Sequence, residues 1–113
     1  MIAKARAYVA ALGDVLDLVG AGVIGSVARG DFNVWSDIDV LVIAEGLPSR
    51  YLDRATLLAT APVPRVQAVA FTPEELVLAL AKRDPRVVEL QRDGVLLVGA
   101  REVQALLDVE RRP

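Results

Sequence analysis

Along this chain of 113 residues, the period of the apolar positions changes several times, and each change predicts an element. From Ile2 to Leu18 the apolar positions Tyr8, Ala11, Leu12, Val15, Leu18 and Val19 recur at three- and four-residue spacing, which is one face of a helix. Gly20 and Gly22 are read as its stop, leaving Gly22 to Gly25 as a short buried strand. Ser26 to Arg29 fits one helical turn, and Phe32 to Ser36 a loop. Asp37 to Ala44, dense in Val, Ile and Leu, is the clearest strand, ended by Gly46 and Pro48. Tyr51 to Ala59 reads as a helix broken by "TAPVP", and Arg65 to Phe71 as a second long strand. "TPEEL" opens another helix, with Thr72 as N-cap, Pro73 at the first helical position and Glu75 at the capping-box position. Asp84-Pro85 begins a short helix running towards Gln91, Asp93-Gly94 is a turn, Val95 to Val98 a strand and Arg101 to Val109 a last helix.

Helices and strands that alternate in this way imply an α/β (α+β) domain. The first two strands are joined by too few residues for a crossover helix. A small mixed or antiparallel sheet flanked by helices is therefore expected. There is no repeat or linker, and residues 1–113 are expected to form one domain.

Composition narrows the picture. Hydrophobic residues make up 54% and the mean hydropathy is +0.42, so nearly every element should be buried on at least one face. That excess leaves room for an apolar surface covered by a partner, in a homo- or hetero-oligomer. A net charge of −2 argues against extended nucleic-acid binding. The longest uncharged stretch, Leu18 to Ala28, is too short to span a bilayer. Lys4 and Arg6 lead into an amphipathic pattern rather than a signal peptide, so a cytoplasmic location is expected. With neither cysteine nor histidine, thiolate catalysis, zinc-thiolate sites and Ser-His nucleophile systems are excluded. Any metal must be held by oxygen, which favours Mg2+ or Mn2+.

The chemistry concentrates in "GSVARGDFNVWSDIDVLV". Side chains alternate along a strand, so Asp37, Asp39, Leu41 and Ile43 share one face while Ile38, Val40 and Val42 pack from the other. Two carboxylates at i and i+2 lie about 7 Å apart along the strand, a spacing at which they jointly clamp a divalent cation. Gly25 allows close backbone approach to a ligand, and free N–H groups there with the Ser26 hydroxyl suit a phosphate. Arg29 and Arg65 are further candidate phosphate contacts. Each residue also has a plainer reading. The aspartates serve as a turn residue and a strand-edge charge, Gly25 as a turn glycine and Ser26 as a helix N-cap. Arg29 is equally an ion-pair partner of Asp31, Arg65 a surface residue, and Trp35 a loop or partner anchor rather than a base-stacking platform.

Gly25-Ser26, ten intervening residues and then Asp37-Ile38-Asp39 resemble the nucleotidyltransferase signature of the DNA polymerase β superfamily, and its minimal nucleotidyltransferase branch in particular. "FTPEEL" and "PRVVELQRDGVLLVG" are similar to the later part of those small domains. The resemblance implies a nucleotidyltransferase fold. In it Asp37 and Asp39 are catalytic metal ligands for Mg2+ (or Mn2+), and Gly25 and Ser26, helped by Arg29, bind the triphosphate of a nucleotide such as ATP. It further implies transfer of a nucleoside monophosphate to a hydroxyl. Domains of this branch are often encoded beside HEPN toxins and act as their antitoxins, some by adenylylating a toxin tyrosine, which makes a HEPN-type protein the expected partner. The family's third carboxylate should fall in "RVQAVAF", where the aligned residue is Gln67. An amide coordinates through oxygen but carries no charge and is no base. Asp53, Glu74 and Glu75 are the nearest carboxylates, the first on the exposed part of a helix and the other two at a helix start. A catalytically impaired nucleotide-binding module that neutralises or scaffolds a partner is thus the alternative, and a small-molecule nucleotidyltransferase a third reading.

Overall fold

The computed structural model describes residues 1–33, 36–61 and 63–108. In chain order it contains α1 (Ile2–Leu12), β1 (Asp17–Ile24), α2 (Gly25–Arg29), β2 (Ile38–Glu45), α3 (Tyr51–Leu58), β3 (Val66–Phe71), α4 (Pro73–Ala81), α5 (Pro85–Asp93), β4 (Val95–Val98) and α6 (Ala100–Leu107). The strands form one mixed sheet in the order β3-β2-β1-β4, with β1 antiparallel to β2 and β4, and β2 parallel to β3. The fold is therefore α+β, a four-stranded mixed sheet flanked by helices, as the short first connection implied. Trp35 and Val109, which carried expectations above, lie outside the described residues.

The first helix is shorter than its periodicity predicts. It ends at Leu12, and Asp17 already belongs to β1. Ala5, Tyr8, Val9 and Leu12 form its buried face. Val15, which extends the helical pattern in the sequence, is exposed in the turn that follows. Leu18 and Val19 continued the period by coincidence. Gly20 and Gly22 are strand positions rather than helix stops. A Cβ on Gly20 would lie 2.3 Å from Val103 Cγ2, and one on Gly22 2.7 Å from Leu90 Cδ1. The two glycines thus let α6 and α5 settle directly on the central strand.

Both faces of the sheet are covered. Ala21, Val23, Ile38, Val40, Val42 and Ala44 pack with α1 on one side. Leu41, Ile43 and Phe71 pack with α4, α5 and α6 on the other. The face that carries the aspartates is thus apolar core for most of its length, and polar only at one end. Two of the helices on that face, α4 and α5, start from side-chain caps. Thr72 Oγ1 accepts the Glu75 N–H at 3.2 Å and Glu75 returns a carboxylate to the Thr72 N–H at 2.9 Å, completing the predicted capping box. Asp84 caps α5 by accepting the Arg86 N–H at 2.9 Å, with Pro85 in the first turn. On the opposite face Tyr8 is buried. Its hydroxyl donates to the Leu58 carbonyl at 2.6 Å, and burial pushes its pKa up to about 12.

Candidate functional site

The polar end of the sheet is assembled by register. β1 and β2 pair antiparallel with Ile24 opposite Asp39, so the residue after Ile24 starts beside that aspartate. Gly25 opens α2 at φ +78°, a conformation that favours glycine. A Cβ there would sit 2.7 Å from Asp39 Oδ2. The Gly-Ser turn therefore lies close against the second aspartate, and a side chain at position 25 fits only if that carboxylate shifts. Ser26 follows, half-buried, at the start of the same short helix.

Asp37 precedes β2 and is exposed, while Asp39 is half-buried in its first turn of pairing. Burial raises the Asp39 carboxyl above its usual range, and the negative charges of Asp37 and Glu89 raise it further. On the other side of β2, the parallel register places Gln67 directly across from Asp39. Its Nε2 donates to Asp37 Oδ2 at 3.0 Å. The residue aligned with the missing third carboxylate thus stands in contact with the aspartate pair, and it meets that pair as a hydrogen-bond donor.

Arg29, at the end of α2, pairs with Asp31 at 3.5 Å and also with Glu89 Oε1. Glu89 Oε1 in addition accepts the Gly25 N–H at 2.9 Å. The ion pair with Asp31 expected from the sequence is thus present, and through Glu89 the guanidinium also lies near the Gly25 turn. Glu89 is a participant that the sequence reading missed. It comes from α5, 64 residues after Gly25, and no spacing rule connects the two. Arg65 is exposed at the start of β3, where its carbonyl accepts the Ile38 N–H at 2.7 Å beside the aspartates. The alternative carboxylates are placed elsewhere. Glu75 is bound to Arg54 at 2.7 Å and to its own helix cap, and Asp53 is exposed on α3.

Among the described residues no three histidine, cysteine or acidic side chains gather at metal-binding distance. What the site offers a cation is an aspartate pair whose charges repel, with an amide beside it. The oxygen donors here are the two carboxylates and the Gln67 amide, the donor type that hard divalent ions take. A separate cavity of about 700 Å³ lies at the β3 edge between Tyr8, Tyr51, Leu58 and Arg86, and contains none of these site residues. No helix among the described residues is long and apolar enough to cross a membrane.

Residues 3–97 match the family profile described as nucleotidyltransferase domain. A stretch of 42 residues, 37% of this chain, is 48% identical to a protein of Methanocaldococcus jannaschii named "Putative protein adenylyltransferase". That stretch amounts to 29% of the relative's own length. In fold, the chain is similar to a crystal structure from Sulfolobus solfataricus described as a "putative nucleotidyltransferase". The TM-score is 0.62 at 23% identity, over 85% of this chain and 78% of that one.

Proposed function

The chain belongs to the nucleotidyltransferase domain family, and from that premise we propose that it binds a nucleoside triphosphate, ATP in the first instance, and transfers the nucleoside monophosphate to a hydroxyl on a partner protein. The observation that carries this reading is the approach of Asp39 Oδ2 to Gly25, 2.7 Å from where a Cβ would stand, which sets the Gly-Ser turn beside the second aspartate. Asp37 and Asp39 would hold Mg2+ or Mn2+. When bound, such an ion offsets the charge of the triphosphate and of the leaving pyrophosphate. Gly25 and Ser26 hold the phosphate chain, and the Arg29 guanidinium lies close enough to join them. The acceptor oxygen forms a bond to the α-phosphorus as the bond to the β-phosphate oxygen breaks, and pyrophosphate leaves. The acceptor's proton goes to an ionised carboxylate or to water, because Gln67 cannot take it.

A protein acceptor is favoured by the identity with the archaeal relative and by the resemblance to antitoxin-type domains, which makes a HEPN-type protein the first partner to examine. A second reading rests on the Gln67 contact. An amide hydrogen-bonded to Asp37 supplies neither charge nor base, which suits a domain that binds nucleotide and partner without efficient turnover. One experiment separates the two. The protein is incubated with ATP labelled at the α-phosphate, Mg2+ or Mn2+, and the protein encoded beside it. Label on the partner, lost in Asp37→Asn and Asp39→Asn, supports transfer. Saturable nucleotide binding without label supports the binding module, and absence of both overturns the site.

A further inference from the structure

Glu89 is placed where the reading above puts a phosphate. One of its carboxylate oxygens accepts both the Gly25 N–H, at 2.9 Å, and the Arg29 guanidinium. An N–H has a single hydrogen, so the Gly25 amide cannot bind Glu89 and a phosphate oxygen at full strength together. Carboxylate and phosphate are the same class of acceptor for these donors. Nor is Glu89 a loosely solvated surface group. Its side chain is 23% exposed, and its neighbours Val87 and Leu90 anchor α5 against the sheet.

We propose that Glu89 is a built-in competitor for the nucleotide's phosphates, which engage Gly25 and Arg29 by displacing its carboxylate. This rests on the nucleotide-binding reading and adds to it a residue that sets affinity. Apparent nucleotide affinity falls by the fraction of molecules in which Glu89 holds the turn.

The test is calorimetric titration of ATP, with Mn2+ present, into the wild type, Glu89→Gln and Glu89→Asp. The glutamine variant weakens the ion pair. The aspartate variant keeps the charge but is one methylene too short to hold the Gly25 amide and Arg29 from α5. Both should bind ATP about two- to fivefold more tightly than the wild type, the range expected for losing an ion pair of this exposure. Tighter binding by Glu89→Gln alone, with Glu89→Asp like the wild type, would overturn the proposal in favour of a simple charge effect. Equal or weaker binding by both, with wild-type binding intact, would overturn it and leave the nucleotide reading standing. Absence of binding in all three proteins would overturn both. A measurement that needs no substitution is the Glu89 side-chain carboxyl 13C signal of the wild type. It should shift as ATP moves the Gly25 amide resonance, and an unchanged carboxyl beside a shifted amide contradicts displacement.

Discussion

Replacing Gly25 by alanine imposes two separable costs. The first is conformational, because φ is +78° and a side chain in that left-handed region costs about 1–2 kcal/mol. The second is steric, since the new Cβ would lie 2.7 Å from Asp39 Oδ2. That atom is the far end of a side chain, so the carboxylate gives way. Pushing it off its rotamer adds about 0.5–1.5 kcal/mol. Gly30, at φ +81° with nothing within 4 Å of its own Cβ position, supplies the control, since alanine there meets the strain alone. With an unfolding entropy of about 2.1 cal/mol/K per residue, a chain of 113 residues loses about 4 °C of Tm per kcal/mol. Gly30→Ala should therefore melt about 4–8 °C below the wild type, and Gly25→Ala about 2–6 °C lower again. The decisive difference lies in ligand response. Gly25→Ala moves a proposed cation ligand and should lose at least about tenfold in affinity for ATP with Mn2+, a loss corresponding to about 1.4 kcal/mol, whereas Gly30→Ala should bind as the wild type does. Differential scanning fluorimetry with and without ATP and Mn2+ reads both quantities. Equal melting temperatures for the two variants, with undiminished nucleotide affinity in Gly25→Ala, would refute the inferred contact between the turn and Asp39.

Three further outcomes follow from the same geometry. Gln67→Asp puts a third carboxylate across from Asp39 and removes the hydrogen bond to Asp37; without cation it should destabilise by about 1 kcal/mol, and Mg2+ should raise its Tm more than that of the wild type. Arg54→Ala removes bonds to the Pro48 and Ala70 carbonyls and to Glu75, and should cost about 1–3 kcal/mol in chemical denaturation while leaving nucleotide affinity unchanged. The pH profile of stability should carry opposite slopes. Burial, Asp37 and Glu89 hold the Asp39 carboxyl high, so its protonated form favours the fold at acid pH, and that contribution is lost as pH rises through the raised value. Arg54 holds Glu75 low and Arg86 holds Asp84 low, so their contribution is present above the ordinary carboxylate range and lost on acidification. Subtracting the urea-denaturation profile of Asp39→Asn from that of the wild type should isolate the falling slope, and saturating Mn2+ should remove it.

Most elements were legible because their signals are local. The Thr72-Pro73-Glu75 pattern specifies a capping box that is present bond for bond, and the Val- and Ile-rich run after Asp37 gives β2 almost to the residue. The misread segment is Asp17 to Gly22. There the helical period of α1 continues by chance into a strand, and two glycines that look like stops are spaces for Leu90 and Val103. Only the packing of α5 and α6 distinguishes the two, and that packing is long-range. The candidate site divides in the same way. Gly25, Ser26, Asp37 and Asp39 come from one continuous motif, and register alone brings Gln67 beside them. Glu89 reaches Gly25 through tertiary structure, and nothing in the local sequence marks it.

The central claim is that Asp37 and Asp39 hold a cation through which the Gly25 turn binds nucleotide. Isothermal titration of ATP into the wild type and Asp39→Asn, each with and without Mn2+, tests it most directly. Saturable binding by the wild type is expected only when Mn2+ is present, with its loss in Asp39→Asn despite an intact fold by circular dichroism. Binding that is indifferent to Mn2+ and to the substitution would contradict it.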